Sequence, residues 1–361
     1  MNESGDVEAE APDRIFRWYI VCLVLLVLSV LVFLIDSGLP TFVVTSVTII
    51  PLAFVMGRAT EELAAHLGPG PGGLLNATFG NATELIIAIF ALSSGLLEIV
   101  KASITGSIIG NILLVLGLSM LIGGLRYKEQ EFDSCAAATR STMLTLAVIA
   151  LVMPSLFLLY IKDDVGGGIQ AMSLGISVIL IVAYFLGLVF SLRTHKHFYN
   201  PAGEEAIPRW SKKRGIFVLA LSTLGVAIAS ELLVSSIESS IGAIGLSELF
   251  IGVIVIAIVG NAAEHGSAVI MAWKNKMNLS VGIATSSSTQ IALFVAPVLV
   301  FISYLFSNPM DLAFEIFELV SIALSVVVLH MVSADGRSNW YEGVLLTMVY
   351  VIIAIGFFFH P

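Results

Sequence analysis

Long apolar runs separated by short polar interruptions recur along the whole chain. Each is long enough to carry a helix across a bilayer, which takes roughly 20 to 25 residues and a short loop. The pattern predicts spans near 15–35, 41–66, 72–94, 96–124, 136–160, 171–192, 215–240, 246–273, 278–306, 312–332 and 339–359. The expected fold is therefore an all-α integral membrane protein of about eleven transmembrane helices. The first run follows basic residues, but an acidic tail over 1–14 and a long apolar core argue for a retained extra helix at 15–35 rather than a cleaved leader. The one extended polar stretch, 193–214, separates a first half, 41–192, from a second, 215–361.

Composition agrees with a chain that lives in lipid. Apolar residues make up 58% and charged residues 12%, with a mean hydropathy of +1.00, which leaves no water-soluble domain. The net charge of -9 owes much to Glu3, Asp6, Glu8, Glu10 and Asp13, in a tail expected to be disordered. Cys22 and Cys135 have neither disulfide-framework nor zinc-ligand spacing. With the predicted spans, Arg14, Arg17, Arg126, Lys128, Arg140, Arg193, Lys196, Arg209, Lys212, Lys213, Arg214, Lys274, Lys276 and Arg337 all fall on the N-terminal side. Lys101 and Lys162 fall on the other, and Arg58, inside a helix end, is left unassigned. Basic residues collect on the cytoplasmic side, so a cytoplasmic N-terminus is expected. The expected location is the plasma membrane of a prokaryote.

Chemistry enters through an internal repeat. G-N-A-T-E over 80–84 returns as G-N-A-A-E over 260–264, and the same offset of 180 residues aligns Ala77 with Ala257, Ala88 with Ala268, Thr105 with Thr285 and Ser107 with Ser287. The copies lie an odd number of spans apart, so the second enters the membrane from the opposite side, an inverted five-helix repeat of the kind secondary transporters use. Each copy puts a carboxylate near the bilayer midplane, Glu84 and Glu264, at a cost of at least about 2.5 to 3.5 kcal/mol. Asn81 and Glu84, like Asn261 and Glu264, are three apart and share a helix face. The glycine before each Asn is expected to weaken the helix and free carbonyls, which is tolerated at this depth only where backbone lines a cavity. Two carboxylates with amide and carbonyl oxygens suit a hard divalent cation such as calcium, which takes six to eight oxygen ligands.

The next span in each half adds a polar stripe, Ser103, Ser107, Gly110 and Asn111 in one, Thr285, Ser286, Ser287 and Gln290 in the other. Small residues here also serve close helix packing, whereas the long amides of Asn111 and Gln290 need partners in mid-membrane and are assigned to the cation site. Glu61 and Glu231 stand in matching T-E and S-E contexts on 41–66 and 215–240. Glu62, Glu98, Glu238, Glu248 and Glu315 sit near helix ends and are expected to be mostly solvated, while Glu318 is deeper with no evident partner. His265 points about 100° away from Glu264 on a helix, a position beside the site rather than in it. His66, His195, His197, His330 and His360 lack metal-ligand spacing.

These residues carry a resemblance. The chain resembles the calcium/cation-proton exchanger family, within the wider calcium/cation antiporter superfamily, from about residue 41 to its end. The segments are M-G-R-A-T-E from Met56, N-A-T-F-G-N-A-T-E-L-I from Asn76, S-E-L-F-I-G-V from Ser247, I-V-G-N-A-A-E-H from Ile258 and Q-I-A-L-F-V-A-P-V from Gln290. The resemblance implies eleven helices, alternate binding of cation and protons by Glu84 and Glu264, movement of 41–66 and 215–240 against a core, and gating or proton access by Glu61 and Glu231. Sodium-coupled relatives carry a proline in the repeat that neither copy has here, which favours proton coupling. Ser286 stands where the family has Gly and Thr289 where Leu is common. The acidic segment of the family's connector is reduced to Glu204 and Glu205, so its sensing role is not carried over.

The expected activity is exchange of calcium, or a similar divalent cation, for protons by alternating access. The transported ions are Ca2+ and H+, no cofactor is implied, and a homo-oligomer is compatible with the sequence. An enzyme is not expected. An intramembrane metalloprotease would need H-E-x-x-H, and an ATP-driven pump would need G-x-x-x-x-G-K and room for a nucleotide domain. A nucleic-acid module is likewise missing. The alternatives are a sodium-coupled calcium exchanger and, more distantly, a cation channel.

Overall fold

The structure, a computed structural model, describes residues 12–160, 167–195, 208–306 and 308–360. The acidic tail up to residue 11, Lys162, Lys196, His197, Glu204 and Glu205 fall outside the described residues. The chain is helical from α1 (Pro12–Ile35), which begins a little before the expected 15, through α2 (Leu39–Leu67) to a broken pair, α3 (Pro69–Phe79) and α4 (Ala82–Ser93). Then follow α5 (Leu97–Tyr127), α6 (Ser134–Tyr160) and α7 (Gly168–Thr194). In the second half come α8 (Lys212–Ser235), α9 (Ile237–Ile244), α10 (Glu248–Gly260), α11 (Ala262–Trp273) and α12 (Met277–Ser303), and last α13 (Ile316–Val332) and α14 (Trp340–Phe359). Among the described residues, 8 helices are individually long and apolar enough to cross a membrane, or up to 9 if the bent pair α9 and α10 counts as one span. Their outer faces stay apolar where no protein covers them, as with Leu23 and Leu34 on α1 and Ile352 on α14, the surface that lipid requires.

Several of the predicted spans are not simple rods, four of them around the repeat. Those expected at 72–94 and 246–273 are each broken at the repeat asparagine, and the backbone there differs from expectation. Gly80 keeps helical angles, φ -56° and ψ -46°, while Asn81 (φ -101°, ψ 25°) and Asn261 (φ -89°, ψ 5°) carry the departure into the bridge region. The glycines serve close approach instead. The spans expected at 96–124 and 278–306 each contain a π-helical turn, Gly110–Val115 and Ile291–Val295, an irregularity that concentrates at functional sites. It begins beside Asn111 in one half and directly after Gln290 in the other.

Two packing regimes position the site. In the centre, α5 crosses α10 backbone to backbone: a Cβ on Gly106 would strike the Val253 carbonyl, and one on Gly252 would strike Ala102. Small residues permit this approach where lipid offers no hydrophobic drive for association. At the periphery α2 pairs with α8 through side chains, Leu63 against Gly215 and Leu52 against Gly225, and α1 lies against this pair, with Ser29 and Thr48 sharing a hydrogen bond of 2.8 Å.

One departure from an all-helical chain is a two-stranded antiparallel ribbon, β1 (Glu129–Glu131) with β2 (Arg337–Asn339), pairing Gln130 with Ser338. Gln130 is buried and donates to Ala272 O and Asn275 Oδ1, which ties the ribbon to the end of α11. Glu62 is a second correction. It is not solvated but 5% exposed, where it accepts hydrogen bonds from the Arg209 and Trp210 amides at 2.6 and 3.0 Å and pairs with Arg58 at 3.2 Å. Glu318 has partners as well, the Thr105 hydroxyl at 2.9 Å and the Glu315 amide at 3.0 Å. Lys101, near the start of the span expected at 96–124, is buried and bonded to Asp311 Oδ1 at 2.9 Å and Ala313 O at 2.8 Å.

Candidate functional site

The two helix breaks meet in the middle of the bundle. Asn81 is the N-cap of α4 and Asn261 that of α11, so Glu84 and Glu264 both occupy the third helical position of a half-helix whose N-terminus begins inside the bundle. The positive end of a helix dipole stabilises an anion there, and discontinuous helices in transporters use their ends in this way. Neither asparagine caps its helix with its side chain. Both amides reach into the opposite half instead.

Those amides build a layer of hydrogen bonds with a reciprocal pattern. Asn81 Nδ2 donates to Gln290 Oε1 at 2.5 Å, and Ser287 Oγ donates to Asn81 Oδ1 at 3.0 Å. In the second set, Asn261 Nδ2 donates to Ser107 Oγ at 2.8 Å, and Asn111 Nδ2 donates to Asn261 Oδ1 at 3.2 Å. A further bond of 2.9 Å from Asn111 Nδ2 to Ser287 Oγ joins the two sets. Each repeat asparagine thus binds the serine and the long amide of the other half.

The carboxylates follow the same exchange. A Cβ on Gly80 would lie 3.6 Å from Glu264 Oε1, and one on Gly260 would lie 3.7 Å from Glu84 Oε1. The opposite glutamate thus lies in contact range of the glycine in front of each Asn, most tightly at Gly260, where a Cβ would meet Glu84 Cγ at 3.2 Å. Both carboxylate oxygens of Glu84, Oε2 of Glu264 and Oδ1 of Asn111 are buried without a hydrogen-bond partner among the described residues. Buried acceptors of this kind are costly unless a cation or proton satisfies them. No cluster of three or more His, Cys, Asp or Glu side chains exists among the described residues, so a cation held here takes two carboxylates and completes its shell from amides and hydroxyls. That donor set is all hard oxygen, and it fits calcium-like ions better than soft metals.

A cavity of about 420 Å³ leads to this layer from one end of the bundle. Glu264, Gly80, Ser287 and Gln290 form its floor, Asn76, Thr83, Ser267 and Ser286 its polar wall, and Arg58, Glu61 and Lys274 its mouth. Glu61 is exposed and pairs with Arg58 at 3.2 Å. Glu84, Asn261, Ser107 and Asn111 lie beyond the floor and do not line the cavity. Neither does Glu231, exposed on α8, nor His265, whose Nε2 is buried without a partner. Sequence reasoning did not single out Asn76 as a wall residue, although the asparagine four residues before Gly80 was a usable signal.

Comparison with known proteins places this architecture. The model of the family described as sodium/calcium exchanger protein matches residues 37–193 and 214–359, so the match divides at the same polar connector as the two halves. A Ca(2+)/H(+) antiporter of Synechocystis is 48% identical over 339 residues, covering 89% of this chain and 91% of that protein. Ca(2+)/H(+) antiporter ChaA of Bacillus subtilis is 52% identical over 326 residues, covering 88% and 91%. Among solved structures, native YfkE superposes with a TM-score of 0.82 at 46% identity, covering 95% of this chain and 100% of that one. An H+/Ca2+ exchanger, CAX, shares the fold at a TM-score of 0.70 and 14% identity, covering 95% and 92%. The chain belongs to the sodium/calcium exchanger protein family, in the calcium/cation antiporter superfamily.

Proposed function

We propose that the protein is a secondary active antiporter that exchanges calcium, or a similar divalent cation, for protons by alternating access. The observation that carries the proposal is the pair of glutamates, each in contact range of the repeat glycine of the other half, with three buried carboxylate oxygens, both of Glu84 and Oε2 of Glu264, that no group among the described residues satisfies. With calcium bound, Glu84 and Glu264 are ionised and the ion neutralises both. With calcium gone, protons do so. An empty, doubly charged site would be costly to carry through low dielectric, so the protein crosses loaded with one or the other. Asn81, Asn261, Ser107, Asn111, Ser287 and Gln290 orient the carboxylates and supply neutral oxygens, with His265 beside the site.

The reading takes eleven spans, counting each broken pair as one and including α13, arranged as α1 plus two inverted five-helix halves. Reciprocal hydrogen bonding supports that arrangement. The cavity mouth at Arg58 and Lys274 is at the end richest in Lys and Arg, which by the positive-inside rule is cytoplasmic, so this conformation is open inward. Sodium coupling is the second reading, because the matching family model is described by sodium/calcium exchange. Relatives at 48% and 52% identity are named Ca(2+)/H(+) antiporters and favour protons.

Purified protein in sealed vesicles tests the proposal through calcium uptake against its gradient under an imposed proton gradient, with sodium absent. Uphill uptake that collapses with the proton gradient is expected. Uptake that requires a sodium gradient at fixed pH would transfer the function to the sodium reading, and downhill flux alone would make the protein a channel.

A further inference from the structure

The family match begins at residue 37 and so excludes α1, yet α1 walls a second cleft. This cleft, about 250 Å³ in volume, is lined by Tyr19, Cys22 and Leu26 of α1, Leu52 of α2, and Phe217 and Leu221 of α8. Its surface is almost wholly apolar. Along α8 it extends from Phe217 to Ile228, which at 1.5 Å per residue is about 16 Å, half of a hydrocarbon core of about 30 Å. The cleft therefore has the depth of one leaflet. Toward its inner end Gly225 lets Leu52 and Leu26 approach, since a Cβ on that glycine would stand 2.9 and 3.8 Å from their side chains.

The outer end is charged. Lys213 and Arg214 precede Phe217 and Val218 by four residues and stand one turn above them on the same helix faces. Lys212, Lys213 and Arg214 are exposed and make no ion pair among the described residues. The Arg214 guanidinium lies 4.8 Å over the Trp210 ring, an amphipathic side chain suited to headgroup depth. Arg17 is exposed at the start of α1, which runs parallel to α8 along the cleft.

We infer that this cleft binds one anionic phospholipid, with an acyl chain between α1 and the α2/α8 pair and the headgroup on Lys212, Lys213 and Arg214. A neutral lipid would satisfy the apolar wall but leave three neighbouring cations without a counter-charge. An anionic headgroup supplies it, and juxtamembrane basic clusters attract such lipids. The site also has a consequence for transport, which rests on the antiporter reading above: a lipid wedged against α2 and α8 resists their sliding and so sets the rate of exchange.

Binding is measured on the whole protein, apart from transport, by native mass spectrometry after exposure to phosphatidylglycerol or phosphatidylcholine of identical acyl chains. Wild type is expected to retain one phosphatidylglycerol in preference to phosphatidylcholine. Retention should fall by about fivefold for each of Lys212, Lys213 and Arg214 changed to Gln. Leu221→Trp, at an exposed position that tolerates bulk, should displace the chain and lower retention of both lipids. Equal retention of the two lipids by wild type would mean that any acyl chain fills the cleft and would overturn the inference, as would unchanged retention in either variant. If the triple variant does not fold, Lys213→Gln alone carries the same comparison. Because this readout contains no transport step, a negative result here leaves the antiporter reading standing, and a failed antiporter reading leaves the lipid site standing.

Discussion

Gly260 lies directly against Glu84: a Cβ on this glycine would meet Cγ of the glutamate at 3.2 Å. Because the contact is with the stem of the side chain, a methyl group there turns the carboxylate without filling a void or breaking a hydrogen bond. Gly260→Ala is expected to express and purify normally while weakening calcium binding by about ten- to a hundredfold, the usual cost of disturbing the groups that orient a metal ligand. Titration calorimetry with calcium measures it. Wild-type affinity in this variant would place the ion away from Glu84.

Glu84→Gln and Glu264→Gln are each expected to abolish proton-driven calcium uptake at normal protein abundance. Gln keeps the size of Glu and removes the charge, so the fold tolerates it in the membrane. One carboxylate does not neutralise a divalent ion, and the proton exchanged at that position no longer exists. Glu129→Gln, on an exposed pair with Arg337, serves as a control and should transport like wild type.

The proposed competition of protons and calcium for the same two groups fixes the sign of the pH dependence. Protons bind the calcium-free site and not the loaded one, so raising pH strengthens calcium binding until both carboxylates are ionised. Apparent affinity should rise by up to about two logarithmic units per pH unit at low pH and level off at high pH. In either single Gln variant any residual binding should show a slope no greater than about one. A pH-independent affinity in wild type would exclude the shared site.

Glu62 fastens the end of the connector to α2. Removing its carboxylate takes the acceptor from the Arg209 and Trp210 amides, and the Trp210 amide, the buried one of the two, costs about 1 to 3 kcal/mol when left unpaired. Glu62→Ala should therefore lower the thermal unfolding midpoint, and Glu62→Gln, which keeps one acceptor oxygen, should recover part of the loss. Glu61→Gln, one residue away but exposed, should leave the midpoint unchanged.

Glu61→Gln should instead slow transport or shift its pH optimum, since the side chain stands at the mouth of the cavity rather than on its floor. Glu231→Gln is expected to do the same from the opposite side. Calcium affinity should survive in both. Parallel loss of binding and flux would move these residues into the cation site.

How much of this was legible in the sequence depended on whether a residue's partner announced itself. Glu84, Glu264, Asn81 and Asn261 stand out because they interrupt apolar runs twice in the same way, and the structure brings them together. Ser107, Asn111, Ser287 and Gln290 were legible as stripes, but not the reciprocal order in which they pair. The helix breaks were expected from Gly80 and Gly260, whereas the departure falls on the asparagines, and each glycine instead faces a glutamate from the other half of the chain. Glu62 and Lys101 looked like ordinary helix-end charges, and nothing local to them reveals Trp210 or Asp311. The β1–β2 ribbon is three residues on each side, too short to leave a periodic signal.

Among the described residues, every hydrogen bond between two side chains of the amide layer has its donor in one half of the chain and its acceptor in the other. During synthesis the first half therefore enters the bilayer before any of these partners exists, carrying Asn81, Glu84 and Asn111 as bare polar groups. Lone carboxylates and amides are poorly tolerated in hydrocarbon. The nascent first half must keep Glu84 protonated, hold water around it, or borrow a partner from the insertion machinery until α10 to α12 arrive. Biogenesis thus meets the same physical demand as transport: the site is not left charged and unaccompanied in lipid.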